Sequence, residues 1–151
     1  MNSAKAGLFM ALLGGLATAC GRPSFAEEPR RAAGLNGRGA AQTEPRTLSL
    51  QDVAERISVR DGRTFVFDAN PPELYKEQHV PGARWIDYNS VKKNVLPADR
   101  RATLIFYCAN RMCTASHQAA KTALSLGWTE VYVMPEGIFG WVRARLPIEG
   151  G

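Results

Sequence analysis

Cys108, Arg111, Cys113 and His117 fall within a stretch of ten residues, and their types suit nucleophilic, anion-binding or metal chemistry. A cysteine reacts as its thiolate, and nearby backbone N–H groups or a cation favour that form. Cys108 closes an apolar run, Thr103-Leu104-Ile105-Phe106-Tyr107, and opens a short loop, Ala109-Asn110-Arg111-Met112-Cys113. A helix is predicted to follow, with Thr114 as its N-cap and Gly127 just past its end. A strand, a tight loop and a helix N-terminus aim several N–H groups at one point. A thiolate on Cys108 is the expected result, with an inert buried cysteine as the alternative. Cys113 has two readings: a resolving thiol that forms a disulfide with Cys108, or a packing residue in the helix's first turn. Cys108, Cys113 and His117 also form a C-x4-C-x3-H pattern. That spacing matches no common zinc site and lacks an evident fourth ligand, so no metal is expected.

The elements that position this loop are legible around it. Ser49 can cap a helix over Leu50–Ser58, with Leu50, Val53, Ala54 and Ile57 on one face. Asp61-Gly62 marks a turn, and Thr64–Ala69 reads as a buried strand containing Asp68. Pro71-Pro72 starts a short helix, Glu73–Gln78. A turn, His79–Ala83, and a short strand, Arg84–Ile86, follow, then a short helix over Tyr88–Val95. After Gly127, Glu130–Met134 reads as the last strand and Ile138–Ala144 as an amphipathic helix. Trp85, Trp128 and Trp141 are expected to pack. Strands alternating with helices imply an α/β fold, a mostly parallel sheet covered on both faces. Sites in such sheets lie beyond the carboxyl ends of strands, where Cys108 stands.

Before this domain the chain changes character. Residues 1–19 read as a signal peptide, with Lys5 as the positive end and a run of small and apolar residues to Ala19. Leu16-Ala17-Thr18-Ala19-Cys20 resembles a bacterial lipobox, which would put a lipid on Cys20. Ala17-Thr18-Ala19 and Ser24-Phe25-Ala26 offer ordinary cleavage sites instead. Residues 20–46 are rich in Gly, Ala, Pro, Arg and Glu without an apolar period, and read as a flexible linker. The folded domain is expected over 47–151. The protein is expected to be exported to the periplasm, and to meet the membrane only if Cys20 carries a lipid.

The net charge of +5 does not imply an acidic partner. From Thr47 onward 13 Lys and Arg face 11 Asp and Glu, so the domain is only slightly basic and most of the excess sits in the leader and linker. No basic stripe with interleaved aromatics is present, which argues against nucleic acid. Three cysteines are too few for a disulfide-stapled framework.

Four pieces, in order, resemble the single-domain rhodanese-like sulfurtransferase family across about Thr47 to Gly151. Phe65-Val66-Phe67-Asp68 is similar to the family's first long strand. Glu73-Leu74-Tyr75-Lys76-Glu77-Gln78-His79-Val80-Pro81-Gly82-Ala83 resembles its E-x-Y-x-x-x-H-I-P-G-A signature. The strand into Cys108 resembles the active-site strand and loop. Pro135-Glu136-Gly137-Ile138-Phe139-Gly140-Trp141 resembles the closing G-G-x-x-x-W element, with Glu136 at the first glycine. The resemblance implies a three-layer sandwich around a five-stranded sheet. It implies Cys108 as the catalytic residue, carrying sulfur as a persulfide. Ala109, Asn110, Arg111, Met112, Cys113 and Thr114 would be the substrate-binding loop, with a small-molecule sulfur donor such as thiosulfate, a thiol or cyanide acceptor and no cofactor. The loop departs from the family in one place: Cys113 stands where arginine is common, which leaves Arg111 as the candidate for the donor's sulfonate. Asp68 and His79 are expected to serve the scaffold as a hydrogen-bonded pair. A thiol-redox or metal-handling protein and a non-catalytic binding module of the same fold are the competing functions.

Overall fold

The computed structural model describes residues 42–151. The leader, Cys20 and most of the linker lie outside the described residues. Five strands form one sheet: β1 (Arg46–Thr47), β2 (Thr64–Asp68), β3 (Arg84–Trp85), β4 (Thr103–Tyr107) and β5 (Glu130–Val133). Their order is β1-β5-β4-β2-β3, and every neighbouring pair is parallel. β1 starts at Arg46, so the last residue of the expected linker already pairs with Tyr132.

Among the described residues four helices cover the sheet: α1 (Leu50–Val59), α2 (Pro72–Glu77), α3 (Ala115–Ser125) and α4 (Gly137–Arg143). Successive strand residues point to opposite faces, and β4 shows the consequence. Leu104 and Phe106 pack with Ala119, Ala120 and Ala123 of α3. Ile105 and Tyr107 pack with Val53 of α1, Leu74 of α2, and Ile138 and Trp141 of α4. The result is the three-layer α/β sandwich, with β4 buried at its centre.

Local chemistry sets the boundaries. Ser49 and Asp52 form a reciprocal capping box at the start of α1. α3 ends as expected: Gly127, at φ +103°, lets its own N–H reach Leu124 O and the Trp128 N–H reach Ala123 O. The helix expected over Tyr88–Val95 is absent; only Lys93–Val95 forms a 3-10 turn. Asp87 is the reason. Its carboxylate takes the Asn89 N–H and the Ser90 hydroxyl, and so offers the backbone a turn instead of a helix. Trp128 and Trp141 are buried as expected, but Trp85 is 41% exposed, anchored by its indole N–H on Asn70 O. No helix among the described residues is long and apolar enough to cross a membrane.

Candidate active site

Cys108 follows β4 directly. The ladder continues to this point on both sides, through Ala69 N–H to Tyr107 O and Met134 N–H to Phe106 O. The loop then folds back on itself. Asn110 O accepts the Cys113 N–H, and Asn110 Oδ1 accepts the Met112 N–H at 2.9 Å. Two loop N–H groups are thus used inside the turn, and the Asn110 side chain shapes it. α3 begins immediately afterwards. Thr114 does not cap it in the expected way: its backbone is already helical, and its side chain makes no capping bond. The tight turn delivers the chain into Thr114 in helical conformation, which excludes the extended geometry of a side-chain cap.

The other side of the loop is bolted to α4. Cys108 O accepts the Ile138 N–H at 2.8 Å, and Ala109 O accepts the Phe139 N–H at 3.0 Å. Gly137 permits this approach. Its φ is +64°, and a Cβ there would lie 2.4 Å from Cys108 O and 2.5 Å from Ala109 O. The first turn of α4 therefore spends two of its N–H groups, those of Ile138 and Phe139, on the loop's backbone.

The thiol of Cys108 is buried, with the residue 2% exposed. It donates to Cys113 O, and Ser116 Oγ lies 3.3 Å from the sulfur. Burial pushes the thiol up to about 11, and a side-chain hydrogen bond with Cys113 adds to the rise. The Ser116 hydroxyl and backbone N–H act in the opposite direction. The helix N-terminus thus favours the anion as expected, but desolvation outweighs it and the resting group is a neutral thiol. Ser116 was not among the residues singled out from sequence. Its position in the first turn of α3, eight residues after Cys108, is the signal that could have found it.

Cys113 is half-buried against the α3 side of the core, and both cysteines are free thiols. Met112 is 89% exposed and Thr114 is exposed. Arg111 projects outward and forms an ion pair with Glu136, at the residue before Gly137. Among the described residues no group of three His, Cys, Asp or Glu side chains is placed to hold a metal, so Cys108, Cys113 and His117 are not assembled as a ligand set.

Asp68 and His79 serve the scaffold separately. Asp68 is fully buried and accepts the Asn70 N–H at 2.7 Å, and burial raises its carboxyl above the usual range. The His79 ring stacks on Tyr75 and holds Tyr75 O through Nδ1 at 2.7 Å, and its Nε2 lies 3.7 Å from the Glu149 carboxylate. Backbone bonds between His79 and Glu149 fix the ring on that side, and no bond joins it to Asp68. The Tyr107 hydroxyl accepts the Val80 N–H at 3.0 Å, tying the turn over 79–83 to the strand that carries Cys108.

A parallel three-layer sandwich that presents a cysteine loop between its central strand and a following helix defines a class of α/β cysteine-loop domain. The model of the rhodanese-like domain matches residues 49–144. The thiosulfate sulfurtransferase GlpE of Pseudomonas putida is 31% identical over 84 residues, covering 56% of this chain and 74% of that protein. The BH2092 protein of Bacillus halodurans has the same fold, with a TM-score of 0.64, 24% identity, and coverage of 70% of this chain and 77% of that one. A thiosulfate sulfurtransferase from Pseudomonas aeruginosa superposes with a TM-score of 0.62 at 24% identity, over 73% of this chain and 20% of that one. The chain belongs to the rhodanese-like domain family.

Proposed function

We propose that this protein is an exported sulfurtransferase that moves sulfane sulfur through Cys108. The observation that carries the reading is the seat of that sulfur: at the end of the central strand, over the first turn of α3, with the Ser116 N–H and hydroxyl favouring its anion. The similarity to GlpE supports the same chemistry. With thiosulfate as donor, the Cys108 thiolate attacks the outer sulfur. A new S–S bond forms on Cys108, the donor's S–S bond breaks, and sulfite leaves with the electron pair. Cyanide or a thiol then attacks the outer sulfur of the persulfide, which regenerates the thiolate and yields thiocyanate or a new persulfide. The Ser116 donors are placed to stabilise each anionic sulfur in turn. Export and the option of a lipid on Cys20 rest on the leader's composition.

Cys108→Ser is expected to lower thiocyanate formation from thiosulfate and cyanide by a factor on the order of 1,000 or more, the scale of losing a covalent nucleophile. Thiosulfate-treated wild-type protein should gain one sulfur on the Cys108 peptide by mass spectrometry. Undiminished turnover in Cys108→Ser would remove the proposal.

The bond from the Cys108 thiol to Cys113 O, which holds the two residues against each other, favours one additional step. Cys113 attacks the inner sulfur of the Cys108 persulfide, an intraloop disulfide forms, and hydrosulfide leaves with the electron pair. Cys113→Ser should then keep the persulfide on Cys108 longer after the donor is withdrawn.

A further inference from the structure

Glu136 bears on the donor, and this inference rests on the sulfurtransferase reading above. Arg111 is the loop's single cation between Cys108 and Thr114. Its guanidinium is held by Glu136 Oε1, while Glu136 Oε2 is buried without a hydrogen-bond partner. The pair is built into the site. Glu136 adjoins Gly137, which is pressed against the backbone of Cys108 and Ala109, and the next two residues donate to that same backbone. The loop and the carboxylate therefore share one rigid frame. An anionic donor approaching Cys108 meets an arginine whose charge is already countered, and a carboxylate that repels it.

We propose that Glu136 is a specificity-determining residue that occupies Arg111 in place of a donor's anionic group. It selects against small sulfonate donors such as thiosulfate and favours persulfides carried on thiols. A persulfide donor brings no sulfonate beside the reacting sulfurs, so it does not need Arg111. Arg111 is 67% exposed and Glu136 is 24% exposed, so the pair itself contributes little to stability and substitution should leave the fold intact.

The test separates anion binding from turnover. In the whole chain carrying Cys108→Ser, thiosulfate binding is measured by calorimetry at low ionic strength. Adding Glu136→Gln is expected to tighten binding roughly tenfold, the scale of removing one repelling charge from a partly exposed site. Adding Arg111→Ala to that variant should abolish the gain. Glu136→Ala provides a second version of the same change, and circular dichroism verifies folding. Unchanged affinity in both Glu136 variants, no measurable binding in any protein, or a gain that survives Arg111→Ala would each overturn the proposal. Sulfur loading of wild-type Cys108 tests the sulfurtransferase reading independently, so the two can fail separately.

Discussion

The turn over 79–83 and the loop over 108–114 flank the end of the same strand, yet they are built on opposite principles. In the turn, polar groups are matched within the fold. Tyr75 OH donates to Ala83 O, Val80 N–H finds Tyr107, and Gly82 N–H finds the Glu149 carboxylate at 2.8 Å. In the loop, the backbone is anchored but the chemistry is left in tension. Cys108 is a buried thiol whose anion is favoured by Ser116 and opposed by desolvation, and Arg111 is held by a carboxylate with one oxygen unmatched. The most recognisable motif in the chain is thus scaffold.

The widest expected effect concerns the thiol. Because burial raises Cys108 to about 11, the thiolate is the minor form at neutral pH and grows as pH rises. The rate of alkylation at the Cys108 peptide should climb about tenfold per pH unit from pH 7 to 10, as a protonated nucleophile requires. A plateau below pH 8 would mean that the helix N-terminus, not desolvation, governs the loop.

Gly137→Ala comes next. The new Cβ meets the Cys108 and Ala109 backbone, and the positive φ adds strain. A loss of about 3 kcal/mol in urea unfolding is expected from the combined clash and strain. A loss under about 1 kcal/mol, the range of an unstrained surface change, would show that loop and α4 are not rigidly joined.

Tyr107→Phe tests the turn. It removes the acceptor of the buried Val80 N–H and should cost about 1–3 kcal/mol by chemical denaturation. An unchanged urea midpoint would show that the turn does not depend on the strand that carries Cys108.

Local pattern made much of this architecture legible. The Thr103–Tyr107 run, the Ser49 cap and the Gly127 stop each act within a few residues, so the sequence specifies them. The expected helix over Tyr88–Val95 failed because Asp87 competes for the backbone, a choice made by side-chain geometry rather than periodicity. Asp68 and His79 stand close to one shared motif, yet they bond to different partners across the fold.

The sequence by itself determined the alternation of strands and helices from α1 to α4, apart from the helix expected over Tyr88–Val95, and the place of Cys108 at a strand end. Only the tertiary structure decided the thiol's protonation, because burial depends on β4 lying at the centre of two packed layers. It alone paired Arg111 with Glu136, 25 residues apart, since α4 must fold back over the loop before the two charges can meet.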